Sequence, residues 1–373
     1  MSRACFLVLL LLPIIMLAVP TVHSEAVQYN IVGTTVDVSV ANVKFKVLGT
    51  GCIVNLTIND ELFLLYSGYI FWPTPPVWEE AISGLVLEPT LRISKVDVPK
   101  VETFANGIII KTHAIFHGYA MHVYGTFTVY NTGVIVVNIT YVAWNRTSIT
   151  WPGARNIFPY PYFNGLKCFV IMNNGNLTTL PHDDQQGWMW GRGWVCYAMP
   201  SPATPNTYLV TITLLPYPYV KSEFRFVSGV PIRGIYGKDV FSHLIRELGG
   251  WTAKAGDSIT WLYILYPHTK GEEFTKELLT IGWKLDGIMS RFTQVKQHAR
   301  FTKHVISNVK KSITECFNTL AMGDTRRAES IVDSISSGIV RAYRIELGTT
   351  YFLIMGVPAA IIAFLLIKYT RKW

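Results

Sequence analysis

From residue 27 to residue 266, apolar residues fall at every second position over short runs. Thr35-Val36-Asp37-Val38-Ser39-Val40 and Asn42-Val43-Lys44-Phe45-Lys46-Val47 alternate without a break. That is the period of a strand with one face buried and one face in water. Further β-branched and aromatic runs follow at 52–58, 61–66, 91–98, 107–116, 122–130, 134–142, 166–172, 193–199, 207–215, 223–227 and 258–266. Asn131-Thr132-Gly133 supplies a hairpin turn between two of them. A Pro/Trp-rich loop over 71–78 interrupts the series, 143–165 reads as a looped stretch, and only 240–248 reads as a short helix. Many short strands without βαβ alternation predict a large antiparallel β-sandwich over residues 25–267.

The period changes after Pro267. Leu285, Ile288, Met289, Phe292, Val295, Ala299, Val305, Ile306, Val309, Ile313, Phe317 and Leu320 keep helical spacing. Gly323 stops that helix, Asp324 caps the next, and Ala328, Ile331, Val332, Ile335, Ile339 and Ala342 form its inner stripe. Residues 268–346 therefore read as a helical hairpin. Its stripes are expected to pack on each other or on a third helix around 274–283, giving the hairpin its own core.

Residues 347–367, LGTTYFLIMGVPAAIIAFLLI, carry no charged side chain. At about 1.5 Å per residue they span roughly 30 Å, the thickness of a bilayer's hydrocarbon core. Lys368, Arg371 and Lys372 follow, so the tail 368–373 is expected in the cytoplasm and the N-terminal side outside. The start of the chain agrees: Arg3, an apolar run over 6–19, and Val22-His23-Ser24 match a signal peptide of residues 1–24. The fold class expected is mostly β, with a β-sandwich ectodomain, a helical hairpin and one C-terminal transmembrane helix.

Charge refines this picture. The formal net charge is +9, but residues 25–269 carry 16 Lys/Arg against 15 Asp/Glu, while residues 270–345 carry 13 against 8. The basic excess lies next to the expected span. It suits an anionic surface or envelope polymer, and no nucleic acid is expected as partner. Four sequons, at Asn55, Asn138, Asn145 and Asn176, are candidate glycosylation sites in an exported chain. Cys168 and Cys196 lie in neighbouring predicted strands and are the candidate disulfide, against two buried thiols.

Motifs for nucleotide, zinc-protease or serine-hydrolase chemistry are absent, and no cofactor is expected. His113-Ala114-Ile115-Phe116-His117 puts two imidazoles on one strand face, read as polar surface rather than metal ligands. The densest polar cluster is the loop His182-Asp183-Asp184 with Arg192, interleaved with Trp188, Trp190 and Trp194. Carboxylates beside aromatic rings suit sugars, whose rings stack and whose hydroxyls need polar partners. His182, Asp183, Asp184, Trp188, Trp190 and Arg192 are therefore the candidate carbohydrate site, although the same tryptophans could fill a core. No catalytic residue is assigned, and whether the chain is an enzyme stays open.

The run from Tyr124 through Tyr130-Asn131-Thr132-Gly133 to Tyr141 resembles the paired strands of galactose-mutarotase-like β-supersandwiches. Pro152-Gly153-Ala154-Arg155 to Pro159 resembles a proline- and arginine-containing loop of those domains. Gly193-Trp194-Val195-Cys196-Tyr197 and the stretch from Lys254 to Tyr266 are similar to later strands. The resemblance implies a carbohydrate-active or carbohydrate-binding domain and carries over no catalytic residue. Two functions follow as expectations. One is a cell-surface, membrane-anchored glycoprotein that binds or processes carbohydrate. The other is a structural envelope or adhesion protein with protein partners and no activity.

Overall fold

The computed structural model describes residues 26–70, 93–149, 152–159, 166–181, 189–191, 194–216, 221–227, 240–298 and 303–351. Two antiparallel sheets form the bulk of it. The first runs, edge to edge, β1 (Gln28–Val32), β2 (Thr35–Val40), β3 (Val43–Leu48), β4 (Cys52–Ile58), β5 (Glu61–Ile70), β12 (Gly153–Pro159), β19 (Val240–Glu247), β18 (Lys221–Val227) and β15 (Met189–Gly191). The second runs β14 (Leu177–Pro181), β13 (Lys167–Met172), β16 (Trp194–Pro200), β17 (Tyr208–Leu215), β21 (Ser258–His268), β10 (Ile135–Ala143), β9 (Met121–Tyr130), β8 (Gly107–Phe116) and β6 (Ile93–Val96), with β7 (Lys100–Phe104) also paired to β8. β11 (Thr147–Ile149) and β20 (Trp251–Ala253) form a separate pair.

Alternation decides which side chains face inward. Val36, Val38 and Val40 of β2 are buried while Thr35, Asp37 and Ser39 turn outward. One core lies between the sheets and joins Val36, Phe45, Leu56 and Phe63 to Ile110, Phe127, Ile139 and Trp261. β12 departs from alternation, since all seven of its residues are buried. Its Asn156 is fully buried, and its Nδ2 donates to Tyr197 Oη at 2.5 Å and to Thr211 Oγ1 at 3.1 Å. Ser67 and Tyr263 share a second buried bond of 2.9 Å between the sheets.

A second core lies outside the second sheet. Helices α1 (Gly271–His298), α2 (Lys303–Ala321) and α3 (Thr325–Tyr351) bury Leu278, Leu285, Ile313, Leu320, Val332 and Ile335 in one cluster with Cys196, Val210, Ile212 and Ile264 of the sheet. α1 packs on β13, β16 and β17, and α3 packs on α1 and α2. Gly282 lets α1 approach closely, because a Cβ there would lie 2.6 Å from Cys196 Sγ. Gly323, at φ +82, ends α2, and Asp324 Oδ1 accepts the Arg327 N–H at 3.0 Å as the cap of α3.

Several expectations change. Residues 240–247 form strand β19, held between β12 and β18, and not a helix. The helical segment shares its core with the sheet instead of closing on itself, and its first helix extends well past residue 283. Cys168 belongs to the core between the sheets and Cys196 to the core under the helices. Their thiols occupy opposite faces of one sheet, so no disulfide joins them. Among the described residues no helix is long and apolar enough to cross a membrane. The expected span starts within α3 and lies outside the described residues after Tyr351, as do signal residues 1–24 and tail 368–373.

Candidate functional site

The helices cover only part of the second sheet's outer face. Over β8, β9 and the far ends of β10 and β21, outward side chains remain half-buried or exposed. Strand register sets them in rows. His113 stands opposite Tyr124, which stands opposite Thr140, which stands opposite Thr260. In the next row Ile115 faces His122, and His122 faces Val142. The row on the other side holds Lys111, Thr126, Asn138 and Leu262.

The imidazoles on this face are linked. His113 Nδ1 lies 2.7 Å from Asp97 Oδ2, and His113 Nε2 lies 3.0 Å from His122 Nδ1. Asp97 is aimed by its backbone, whose N–H donates to the His113 carbonyl at 3.0 Å. The hydrogen bond from His113, and after it the bond from Lys95, holds the Asp97 carboxyl down at about 2. Tyr124 stacks on His113 with ring centroids 4.6 Å apart and planes 14° apart, yet 43% of it remains exposed. Thr140 and Thr260 hydroxyls meet at 2.9 Å beside it.

A second cluster adjoins the first. A 3-10 turn at His117–Tyr119 ends β8, and Ala120 in the left-handed region returns the chain into β9. His117 Nδ1 lies 3.1 Å from Ser94 Oγ, and its ring lies 5.5 Å from Trp144, which is 40% exposed. Two exposed rings, Tyr124 and Trp144, thus flank a face of imidazoles and hydroxyls.

The His113–His122 pair is built for a hydrogen bond rather than for a metal ion. The rings lie edge to edge, with centroids 5.2 Å apart and planes 21° apart. An ion needs about 2.0–2.1 Å to each nitrogen, which would put it ~1.4 Å off the line between them and away from both lone pairs. Among the described residues no group of three or more His, Cys, Asp or Glu side chains could hold a metal.

The loop expected to bind carbohydrate is not part of this face. His182, Asp183, Asp184, Trp188 and Arg192 lie outside the described residues. Trp190 is on β15, opposite Glu223 at the far edge of the first sheet. Trp194 is a core residue, 3% exposed and packed edge-on to Tyr197 at 5.0 Å. His113 and His117 do not pair with each other, since His117 turns to Ser94. Of the sequons, Asn145 and Asn176 are exposed, while Asn55 lines a groove of about 530 Å³ with Tyr29, Asp37 and Lys46. Asn138 sits on the open face itself, its Oδ1 3.4 Å from Thr140 Oγ1.

Asp97, His122, Tyr124 and Trp144 were not singled out by sequence reasoning. The available signal was the hairpin: outward positions 113 and 115 of one strand meet 124 and 122 of the next.

No family model and no curated protein matches the chain. Similar solved structures include a galactose 1-epimerase from Lactobacillus acidophilus NCFM, with TM-score 0.38 and 10% identity over 66% of this chain and 100% of that one. They also include a heparan sulfate lyase from Pedobacter heparinus, with TM-score 0.38 and 9% identity over 66% of this chain and 37% of that one. The chain thus spans little more than a third of the lyase.

Proposed function

We propose that this chain is an exported, membrane-anchored protein that binds saccharide on the open outer face of its second sheet. The observation that carries the reading is the pair of exposed rings, Tyr124 and Trp144, beside His113, His122, Thr140 and Thr260. Sugar rings offer C–H faces that stack on aromatics, and their hydroxyls both donate and accept hydrogen bonds. A sheet face fixes such groups on a rigid backbone, so binding costs little ordering. The full chain in detergent micelles, applied to a glycan array, should retain a defined set of glycans. Failure to retain any glycan would overturn the reading.

The anchor rests on the apolar run 347–367 and the basic residues after it. Protease added to intact cells should remove the β-sandwich and spare an epitope placed after Trp373; loss of that epitope would reverse the orientation. One observation favours the adhesion reading instead. Edge strand β1 exposes Tyr29, Ile31 and Val32 and carries no charge or proline to block pairing. Concentration-dependent self-association abolished by Ile31→Lys would support that role.

A further inference from the structure

We propose that Asp97, His113 and His122 form a one-proton switch that lets the open face hold acidic saccharides below neutral pH and release them above it. This rests on the saccharide reading and adds its regulation. In the uncharged imidazole pair, His113 Nδ1–H donates to Asp97 Oδ2 at 2.7 Å, and His122 Nδ1–H donates to His113 Nε2 at 3.0 Å. Each neutral ring has one proton, so His122 Nε2 is left bare, as an acceptor. Among the described residues nothing bonds it, and it is not one of the buried unsatisfied atoms.

An added proton goes onto that nitrogen. The proton between the rings can then move to His113 Nε2, which sets the positive charge beside the Asp97 carboxylate. Both hydrogen bonds survive, and the exposed atom has changed from acceptor to donor. A second proton would place N–H groups on both facing nitrogens, which 3.0 Å does not permit without breaking the bond. The pair therefore takes up one proton as a unit. Burial, and then the charge on His113, hold His122 below the ordinary histidine value.

The surrounding charges favour an anion. Lys95 and Asp97 face the pair from β6 and the turn after it, Lys100 and Glu102 from β7, Lys111 from β8, His117 from the 3-10 turn that follows it, and Tyr124 from β9. β10 and β21 contribute Asn138, Thr140, Ser258 and Thr260, none of them charged at these pH values. Both carboxylates are already engaged, Asp97 by His113 and Lys95, and Glu102 by Lys111 at 2.6 Å. A hydroxyl can bond either form of His122, whereas a carboxylate or sulfate only accepts and needs the protonated form.

The test titrates the full chain in micelles with glucuronate and with glucose, near pH 5.5 and near pH 8, on either side of the ordinary histidine range. Glucuronate should bind roughly tenfold or more tightly at the lower pH, a change of about 1.4 kcal/mol. Glucose should bind equally at both. His122→Gln should remove the pH dependence for glucuronate, and glucose should still bind equally at the two pH values. Histidine ¹⁵N spectra of the unsubstituted chain give a second readout: His122 Nε2 should gain a proton, while the hydrogen bond between His122 Nδ1 and His113 Nε2 keeps its single proton. Equal glucuronate affinity at both pH values, with both sugars bound, would overturn the switch and leave the saccharide site standing. Persistence of the pH dependence in folded His122→Gln would also overturn it. Binding of neither sugar at either pH would overturn both.

Discussion

His268 gives a pH dependence that can be worked out from its surroundings. It ends β21, just before α1, and is 7% exposed. Nδ1 accepts the Lys270 N–H at 3.2 Å, so the ring proton sits on Nε2, 3.2 Å from Thr275 Oγ1. The Thr275 hydroxyl passes its own proton to the Gly271 carbonyl at 2.9 Å. Tyr208 stacks on the ring at 5.6 Å and Phe274 meets it edge-on at 5.0 Å. The neutral ring is fully satisfied, and a proton on Nδ1 would face the Lys270 donor. Burial, and then the charge of Lys270, lower its value from 6.5 to about 4. The unfolded chain therefore binds this proton first as pH falls. Stability is full above 6.5, declines from there to about 4, and then levels off. That interval corresponds to about 3 kcal/mol at ~1.4 kcal/mol per unit. Urea melts of the full chain and of His268→Gln should be compared across this range. Carboxylates titrate in both proteins, so the difference between the two curves isolates His268 and should change by about 3 kcal/mol. Parallel curves would refute the reasoning.

Four further outcomes follow from the packing. Gly282→Ala should destabilise the chain by about 1 kcal/mol, because its Cβ meets Cys196 and Ile212 and this outweighs the helix propensity gained. Gly287→Ala, with open space around it, should instead stabilise by up to ~1 kcal/mol, and chemical melts of the pair should show opposite signs. Asn156→Ala should lower stability by about 2–3 kcal/mol, read from the denaturation midpoint, since it strips partners from buried Tyr197 and Thr211. Peptide mapping without reductant should find no fragment linking Cys168 to Cys196.

The half-exposed strands were legible because water on one face forces alternation, as in β2 with Val36, Val38 and Val40 turned inward. β12 was not legible. A strand buried on both faces need not alternate, and Gly-Ala-Arg-Asn-Ile-Phe-Pro shows no strand period. β19 misleads in the other direction, since Val240, Phe241, Leu244 and Ile245 fall at helical spacing, and pairing with β12 and β18 decides their state. The helices were readable from Gly323 and Asp324 and from their apolar stripes. Their partner was not, because an apolar stripe does not say whether a helix or a sheet will cover it. The open face shows the same limit. His113 and Tyr124 could be paired by counting from the hairpin turn. Asp97 joins them only because β6 returns alongside β8, a contact no local pattern encodes. The sequence drew attention to tryptophans near charge, and Trp194 shows that such a residue can belong to the core.

The central claim is that the open face, with Tyr124 as its platform, binds saccharide. The most direct test takes the glycan that the full chain retains best and measures its affinity for Tyr124→Ala alongside the melting temperature. Tyr124 is substantially exposed, so its removal should leave the melting temperature nearly unchanged. Losing one stacked ring should weaken binding by about 1.5 kcal/mol, roughly tenfold. Unchanged affinity in a variant that melts normally would contradict the account.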